Sequence, residues 1–587
     1  MLYERLAQAY EEIESTSGSL EKTKLFSELL NESNPEEIGY IIALTIGRLH
    51  PDWMELPELG IAEKVAIQVV SSAGSVSESS VIEVLRFTGD IGLTAESLLK
   101  GRGQMSLFPE EVSVIDVFNT LDDVSNASGS GSSREKISKL VGLIANTTPI
   151  EAKFILRTIT GTLRLGLGSM GILDALSLAF LGNRESRSDI EKAFNVCSDL
   201  SQVAVILASE GIEAIRSIKA VVGTPIRMMA AKKLSNSTEI LEKAGGTALV
   251  EYKYDGERVQ VHKNGDKVTL FSRRQEVITY QYPDVVEYVQ NFVKADICIL
   301  EGECIAVDPE TGRIRPFQEL MRRRRKTGIE AMQEEVPVIV RFFDILHLDG
   351  RDVSNEPMLK RRELLESVIE TSEKIAPTIG EVTNDPDRLD EIFAASLETG
   401  HEGVIAKAVH NESTYQAGSR SWLWIKLKAS YKEGLTDSVD LVVVGAMYGR
   451  GKRTGVYGTI LASAYDPVND TFPTVCKIGT GFTDEALNEF KERLEGFQLE
   501  KMNPKVQSDV KADVWFEPIV VIEVLGDEIT VSPVHHAGRG VIEDGGLAIR
   551  FPRFTGRWRD DKDPTQATTV SDLVDLFNNQ TIRSQDT

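Results

Sequence analysis

A lysine followed by a tyrosine, an aspartate and a glycine stands near the middle of the chain, in the segment KYDGER at residues 253–258. The amine of such a lysine can attack phosphorus only in its neutral form, which burial or cationic neighbours favour. The pattern K-x-D-G is typical of enzymes that carry a nucleotide on lysine. Because four loosely fixed positions also recur by chance, an ordinary surface lysine explains the segment equally well when it is taken alone.

Six segments downstream carry other groups that nucleotidyl transfer requires. In chain order they are FSRR at 271–274, ILEGE at 299–303, FFD at 342–344, EGVIAK at 402–407, WIKLK at 424–428 and RFPRF at 550–554. They offer carboxylates as hard oxygen ligands for Mg²⁺, an aromatic face for a base, and cations for a triphosphate. Each segment alone has a plainer explanation, as a solvated strand end, a core aromatic or a solvated lysine face. Their occurrence together and in order favours nucleotidyl transfer.

Two sequence patterns along the chain indicate the secondary-structure elements that position these groups. Residues 1–225 show apolar stripes at helical spacing, such as Leu2, Leu6, Tyr10 and Ile13. From about residue 230 strands alternate with helices. The turn Asn264-Gly265 predicts a hairpin, and an apolar run at 336–340 predicts a buried strand that leads into FFD.

The elements beyond this point complete the predicted fold. ILEGE is expected to end a strand on its carboxylates, and helices are expected near 358–371 and 387–398. Short strands near 440–447, 459–465 and 519–525 predict a small β-barrel. The sequence therefore predicts a multidomain chain with an all-α region over 1–225, an α/β (α+β) region over 226–429 and a β-barrel over 430–587.

The composition limits the classes of protein to consider. The chain has 587 residues, 41% of them hydrophobic, and a net charge of −25. It has neither the run of about 18 apolar residues that spans a membrane nor a signal-peptide pattern, so the expected location is the cytoplasm and no membrane partner is expected. Its four cysteines form no C-x-x-C pair, which argues against a zinc site and a disulfide framework. The acidic balance argues against nucleic-acid binding unless the cations are locally concentrated.

The chain resembles ATP-dependent DNA ligases of the archaeal and eukaryotic replicative type over nearly its whole length. The resemblance rests on the segments above, on Glu251 and Tyr252 before the lysine, and on GRGKR at 449–453. In the helical region, AKFILR at 152–157 and LRLG at 163–166 are similar to the DNA-binding domain of these ligases. The resemblance implies that the three regions are a helical DNA-binding domain, an adenylation (nucleotidyltransferase) domain and an OB-fold domain, which close as a ring around a nick.

The resemblance also implies a role for each site residue. Lys253 would become the AMP-lysine, Glu251 and the Tyr252 backbone would read adenine, and Phe343 would stack on the base. The remaining residues assigned to the nucleotide are Arg258, Arg273, Glu303, Arg420, Lys426, Lys428 and Arg553. Glu303 and Glu402 are assigned to the catalytic metal. The cofactors implied are ATP and Mg²⁺, and the motifs do not choose among ATP, ADP and GTP or between Mg²⁺ and Mn²⁺.

The implied activity is the sealing of nicks in duplex DNA, in replication, repair and recombination, through a lysine–AMP and a 5′-adenylated DNA. The partners implied are nicked double-stranded DNA and a sliding clamp, and the protein is expected to be a monomer. Although residues 1–225 carry 19 basic and 31 acidic residues, they are expected to supply most of the duplex affinity. The cations expected to do so are Arg102, Arg157 and Arg164, which lie beside or near glycines.

Three other interpretations use some of the same residues. An RNA ligase or an mRNA-capping enzyme also has a K-x-D-G lysine, but the long helical region favours duplex DNA. A non-catalytic DNA-binding protein with a ligase fold is disfavoured by the intact Lys253, Glu303 and Glu402. An NAD-dependent ligase is disfavoured because the cysteines cannot form its four-cysteine zinc module.

Overall fold

The computed structural model describes the chain except for residues 58, 101–110, 130, 325–328, 429–437, 450–452, 454, 544 and 584–587. Arg102 and most of GRGKR therefore lie outside the described residues. The chain forms two compact units. The first unit comprises residues 1–230, 255–378 and 409–421, and the second comprises residues 231–254, 379–408 and 422–587.

The N-terminal part of the first unit is helical. Its helices are α1 (Tyr3–Ser15), α2 (Ser19–Asn31), α3 (Pro35–Ile46), α4 (Glu63–Gly74), α5 (Glu78–Thr88), α6 (Ile91–Leu99), α7 (Val114–Asn126), α8 (Ser132–Ala145), α9 (Pro149–Ile159), α10 (Ser169–Leu181), α11 (Arg187–Cys197), α12 (Leu200–Glu210) and α13 (Ile212–Arg216). Reciprocal capping boxes fix where α7 and α9 begin, with Ser113 and Asp116 at α7 and Thr148 and Glu151 at α9. The all-α prediction for this region is confirmed.

The apolar stripe predicted for the first helix is shifted by one residue at its start. Leu6, Tyr10 and Ile13 are buried as expected, but Leu2 precedes α1 and is 40% exposed. Tyr3 takes the place in the core that periodicity gave to Leu2. The buried stripe begins where the backbone first becomes helical, and the spacing of apolar residues alone does not locate that residue.

The middle of the chain alternates strands and helices and contributes to both units. Its elements are β1 (Ala230–Lys233), α14 (Ser237–Lys243), β2 (Ala248–Lys253), β3 (Glu257–Asn264), β4 (Lys267–Ser272), α15 (Pro283–Phe292), β5 (Ile297–Ala306), α16 (Phe317–Leu320), α17 (Ile329–Glu335), β6 (Val338–Leu348), β7 (Arg351–Asp352), α18 (Met358–Val368), β8 (Ile375–Pro377), β9 (Gly380–Thr383), α19 (Pro386–Glu398), β10 (Gly403–Ala408) and β11 (Arg420–Lys428). The predicted α/β character of this region is confirmed.

The first unit holds a six-stranded sheet in the order β4-β3-β5-β6-β7, with β8 parallel to β6. The predicted hairpin joins β3 to β4, but Asn264 pairs with Lys267, so its loop is Gly265-Asp266 and not Asn264-Gly265. Gly265 has φ +57°, which suits glycine at the first loop position of a type II′ turn. ILEGE does not end a strand: β5 continues to Ala306, and its carboxylates lie in mid-strand.

The second unit holds a five-stranded sheet in the order β1-β11-β10-β2-β9. Helices α14 and α19 cover one face of this sheet, where Ile240 and Leu389 pack against Val404 and Leu427. Side chains alternate between the faces of a strand. The neighbours of Val404 and Leu427 along β10 and β11 therefore point to the other face, which carries the charged residues.

The C-terminal part of the second unit is rich in strands. Its elements are β12 (Val439–Tyr448), β13 (Tyr457–Ser463), β14 (Phe472–Ile478), α20 (Asp484–Glu495), β15 (Gln498–Leu499), β16 (Val506–Gln507), β17 (Val514–Phe516), β18 (Val521–Leu525), β19 (Glu528–Ser532), β20 (Gly546–Arg550), β21 (Arg553–Trp558) and α21 (Val570–Arg583). Strand β12 pairs with β13, β17 and β18, and β18 pairs with β21, which curls the sheet around an aromatic core that includes Phe490 and Phe554. The predicted strand-rich C-terminal region is confirmed.

Candidate active site

Three adjacent antiparallel strands of the second unit place the lysine of K-x-D-G beside a carboxylate. Gly403 on β10 lies opposite Lys253 on β2 and opposite Lys428 on β11. Its φ is +140°, and an added Cβ would lie 2.2 Å from the carbonyl oxygen of Leu427, so only glycine fits this position. The residue before it, Glu402, donates its backbone N–H to the Lys253 carbonyl at 2.9 Å.

Glu402 forms ion pairs with two lysines. One carboxylate oxygen contacts Lys253 Nζ, and Lys428 Nζ lies 2.8 Å from the carboxylate. The three side chains are mostly buried, with 17 to 23% of each exposed. In this arrangement Lys253 Nζ is engaged by a carboxylate, so it must leave the ion pair before it can attack phosphorus.

The two lysines keep Glu402 ionised. Burial opposes the charge of this carboxylate, but the attraction of Lys253 and then of Lys428 outweighs burial and lowers the pKa of Glu402 to about 2. A carboxyl whose pKa is lowered by folding stabilises the fold above its unfolded value of about 4.5, and loses that contribution as the pH falls toward 2. Glu402 is therefore ionised at neutral pH.

A second ion pair on the same sheet is buried almost completely. Lys407 Nζ lies 2.6 Å from Glu251 Oε2, and the two side chains are 1% and 2% exposed. Lys407 Nζ also lies 4.7 Å from the centre of the Trp424 ring. The EGVIAK segment thus supplies Glu402 to the two lysines and Lys407 to Glu251, and the second pairing could not be read from the sequence.

The first unit assembles a separate group around Arg258 of β3. Its guanidinium donates to Glu301 Oε2 at 2.6 Å and to the Met229 carbonyl at 2.6 Å, and it lies 5.1 Å from the centre of the Phe343 ring. Gly256 of K-x-D-G lets the chain approach β5, because an added Cβ would lie 2.1 Å from the Cys304 carbonyl oxygen. The motif glycine is therefore required by close packing.

The residue after Phe343 is fixed by a fully buried ion pair. Arg361 donates to both oxygens of Asp344, at 2.8 and 3.1 Å, and both side chains are 0% exposed. The same guanidinium donates to the carbonyls of Glu356 and Ser413. Because every contact is directional, the end of FFD has a single well-defined position.

The other predicted site residues occupy less enclosed positions. Glu303 lies opposite Arg258 in the register of β3 and β5, and Lys426 lies opposite Ile405 in that of β11 and β10. Three of the predicted residues are exposed, namely Arg273, Arg420 and Arg553. Within the described residues, no hydrogen bond or ion pair joins Arg273 or Arg420 to the group around Arg258. None joins Arg553 to the cluster of Lys253, Glu402 and Lys428. The assignment of these three arginines to the nucleotide remains a prediction.

The cations expected to hold duplex DNA differ from one another in the structure. Arg157 is buried and bound to Asp90 and Glu14, at 3.0 and 2.8 Å, so its selection as a DNA-facing cation is wrong. It lies on the inner face of α9, where it joins helices of the domain. Arg164 is exposed in the loop before α10 and keeps the predicted character. Arg102 lies outside the described residues.

Two buried residues of these groups were not selected as site residues from the sequence. Glu301 is completely buried beside Arg258, and Lys407 is buried beside Glu251. The available signal was position: Glu301 is two residues before Glu303, and Lys407 follows Glu402 at i+5. Neither spacing distinguishes an inward-facing partner from an exposed one before the strand register is known.

The carboxylates suit a magnesium ion in type but do not form a dense cluster. Among the described residues, no three His, Cys, Asp or Glu side chains gather as a metal site. Mg²⁺ bound with a nucleotide needs only one or two carboxylates, and takes its other ligands from phosphate and water. Glu402, which is ionised and 17% exposed, fits that requirement.

Comparison with known proteins finds relatives over nearly the whole chain. Residues 2–177 match the family described as DNA ligase N terminus, residues 228–428 match ATP dependent DNA ligase domain, and residues 453–562 match ATP dependent DNA ligase C terminal region. Among curated proteins, DNA ligase 2 of Thermofilum pendens is 47% identical, over 98% of this chain and 97% of its own. The DNA ligase of Staphylothermus marinus is 45% identical, over 99% of each chain.

A solved structure supports the fold over the same span. The protein named Pmar-Lig_PreS3 superposes with a TM-score of 0.54 at 17% identity, over 94% of this chain and 99% of its own. In the described part of the chain, no helix is both long and apolar enough to cross a bilayer. The three matched regions follow one another in the order of the helical, mixed and strand-rich parts described above. On these grounds the chain is an enzyme of the ATP-dependent DNA ligase family, and the resemblance inferred from its motifs is confirmed.

Proposed function

We propose that Lys253 is the residue that receives AMP from ATP and passes it to the 5′-phosphate of a nick. The observation that carries this proposal is the ion cluster of Lys253, Glu402 and Lys428 on adjacent strands. Lys253 Nζ first gives a proton to solvent, then attacks the α-phosphorus, forms a P–N bond and loses a second proton to solvent as pyrophosphate leaves. When Lys253 leaves the cluster, Lys428 remains as the counter-charge of Glu402.

The two later steps transfer the same AMP. The 5′-phosphate oxygen of the nick attacks the AMP phosphorus, and the P–N bond to Lys253 breaks. The 3′-hydroxyl then attacks the 5′-phosphate, loses its proton and releases AMP as the strand is sealed. The side chains take little covalent part beyond Lys253, so their main contributions are positioning and neutralisation of phosphate charge.

The nucleotide contacts are assigned residue by residue. Glu251 reads adenine and Phe343 stacks on it, while Glu303 and Glu402 would hold Mg²⁺, which would neutralise phosphate charge. The cations assigned to the ribose and phosphates are Arg258, Arg273, Arg420, Lys426, Lys428 and Arg553. The contact of Glu251 with Lys407 supports the first assignment, because it holds the Glu251 carboxyl group in one position on the sheet.

The partners follow from the family. Nicked duplex DNA is the substrate, and the helical region is proposed to supply most of its affinity through exposed cations such as Arg164. A sliding clamp is a further partner. We propose that the protein works as a monomer in the cytoplasm.

A two-stage labelling experiment tests the central proposal. Incubation with α-labelled ATP and Mg²⁺ should give an acid-labile AMP adduct, and a chase with nicked duplex DNA should move the label to DNA and then to free AMP. Lys253→Ala should form no adduct, whereas Lys267→Ala, at an exposed lysine on β4, should behave as wild type. Label on another lysine would falsify the assignment. Transfer to a nicked RNA duplex in preference to DNA would favour the RNA-ligase alternative.

A further inference from the structure

A chain of buried polar side chains runs along one face of β3 in the first unit. Alternate residues of the strand, Arg258, Gln260 and His262, lie on this face because side chains alternate. Gln260 is 0% exposed and His262 is 1% exposed. Neither residue has a role in the proposed chemistry. Because buried polar groups without partners are costly, the contacts they make are informative.

The contacts form a directed series. The N–H of Gly223 donates to His262 Nδ1 at 2.9 Å, which leaves His262 Nε2–H to donate to Gln260 Oε1 at 2.9 Å. Gln260 Nε2 donates to Glu301 Oε1 at 3.1 Å, and the other oxygen of Glu301 accepts from Arg258 at 2.6 Å. Burial lowers the pKa of His262 to about 3, so the ring is neutral and this pattern persists at working pH.

The series begins on the segment that joins the helical region to the catalytic region. We call residues 223–229 the strap. Gln260 holds Ile226 of the strap at two points: it accepts from its N–H at 2.7 Å and donates to its carbonyl at 3.1 Å. The Met229 carbonyl at the end of the strap accepts directly from Arg258 at 2.6 Å. The arginine is therefore bound by the strap itself and by the series that ends on Glu301.

The strap is also held by the helical region. Ser198, which follows α11, donates to the Pro225 carbonyl at 2.6 Å, and the Arg227 N–H donates to the Asn195 carbonyl at 2.8 Å. The Arg227 guanidinium lies 4.1 Å from the centre of the Phe194 ring. The strap is thus bound on one side by α11 and its end, and on the other side by β3.

We propose that Gln260 is a positioning residue that couples the strap to the nucleotide-binding arginine, so that the order of the strap and the affinity for ATP depend on each other. This inference rests on the proposed role of Arg258 as a nucleotide ligand. It adds a path of hydrogen bonds, all within the first unit, through which the helical region affects the affinity for ATP. By reciprocity, a nucleotide that favours the bound pose of Arg258 must also stabilise the strap.

The first measurement is ATP affinity by equilibrium dialysis. All variants carry Lys253→Ala, so that binding is measured without the covalent step. Gln260→Met keeps the length of the side chain but removes its hydrogen bonds, and should weaken ATP binding about 5-fold or more, at the lower end of coupling between sites. Arg258→Met should weaken it at least as much. Gln290→Met is the matched control, because the Gln290 side chain donates to the Asp266 carbonyl on an exposed surface of the same unit.

The second measurement is hydrogen exchange of the strap, which a merely structural glutamine would not link to ATP. With saturating ATP, the amides of Gly223 and Ile226 should exchange more slowly than in the free protein. In Gln260→Met that difference should disappear, while Gln290→Met should keep it. His262→Phe keeps the ring contact with Phe271 and provides the test should Gln260→Met fail to fold. It should abolish the protection of Gly223 and weaken ATP binding less than Gln260→Met does.

The outcomes separate this inference from the proposed function. If Arg258→Met weakens ATP binding while Gln260→Met and His262→Phe bind ATP normally, or if ATP leaves strap exchange unchanged, the coupling is refuted and the nucleotide role of Arg258 stands. If Arg258→Met binds ATP as tightly as its parent, the nucleotide role of Arg258 fails, and the coupling fails with it. Loss of both affinity and ATP-dependent protection in Gln260→Met supports the coupling.

Discussion

The substitution Glu402→Gln should slow self-adenylylation by orders of magnitude and should cost more stability at neutral pH than in acid. The pKa of Glu402 falls from 4.5 to about 2 against the effect of burial, because Lys253 and Lys428 attract its charge. That fall corresponds to about 3 kcal/mol of net preference for the charged carboxylate. The wild type has this contribution above about pH 4.5 and loses it as the pH falls toward 2. A neutral amide has no such charge to lose, so the stability difference between wild type and Glu402→Gln should shrink over that range.

Two assays measure these effects. Urea unfolding between about pH 3 and 7 gives the stability of wild type and variant. Single-turnover formation of the lysine–AMP adduct with labelled ATP and saturating Mg²⁺ gives the rate of the chemistry, which should fall by orders of magnitude because the substitution removes a proposed metal ligand. The two assays therefore report two separate functions of one carboxylate.

The matched control is Glu381→Gln, which removes an exposed glutamate of β9 in the same sheet that pairs with Arg388. Its adduct formation and its stability at each pH should be close to those of wild type. If Glu402→Gln costs the same stability at neutral pH and in acid, the two lysines do not hold Glu402 in its charged form. A pH-dependent cost with unchanged adduct formation would retain the ion cluster and remove Glu402 from the metal site.

Arg361→Met should lower the free energy of unfolding by about 3 to 5 kcal/mol, because it leaves the Asp344 carboxylate, which is 0% exposed, without its partner. Urea unfolding measures this loss, and a loss below about 1 kcal/mol would contradict the prediction. In anisotropy titrations with nicked duplex, Arg164→Ala should reduce the slope of log affinity against log salt concentration by the amount of about one phosphate contact. Arg157→Met should leave that slope unchanged and lower the thermal stability. Arg553→Ala should impair self-adenylylation from ATP far more than sealing of a nick that already carries 5′-AMP, and equal losses would assign Arg553 to the fold or to DNA binding.

The order of the chemical segments predicted the family and the fold class, because each segment combines a residue type with a place in a strand or turn. The local features differ from the prediction in detail. The hairpin between β3 and β4 was predicted, but its loop is Gly265-Asp266, since the strand pairing and not the dipeptide sets where a turn falls. Leu2 was placed in the core by periodicity, although the helix begins one residue later.

The site residues were predictable to the extent that their role depends on type and spacing. Lys253, Glu402 and Lys428 come from three segments, and the register of the sheet brings them together. The partners of charged groups were not predictable. Arg157 resembles an exposed cation in the sequence, but it faces Asp90, which is 67 residues away along the chain. Such pairs depend on helix packing, which no local pattern encodes.

The two closely packed glycines have a consequence for genetic screens. A Cβ at Gly256 or Gly403 would lie within 2.2 Å of a backbone oxygen, so neither position has room even for alanine. In a saturation mutagenesis screen scored by cell survival, both positions should be as intolerant as Lys253 and would be counted as catalytic. Soluble yield separates the two classes. Substitutions of Lys253 should leave abundant inactive protein, whereas alanine at either glycine should deplete the protein itself.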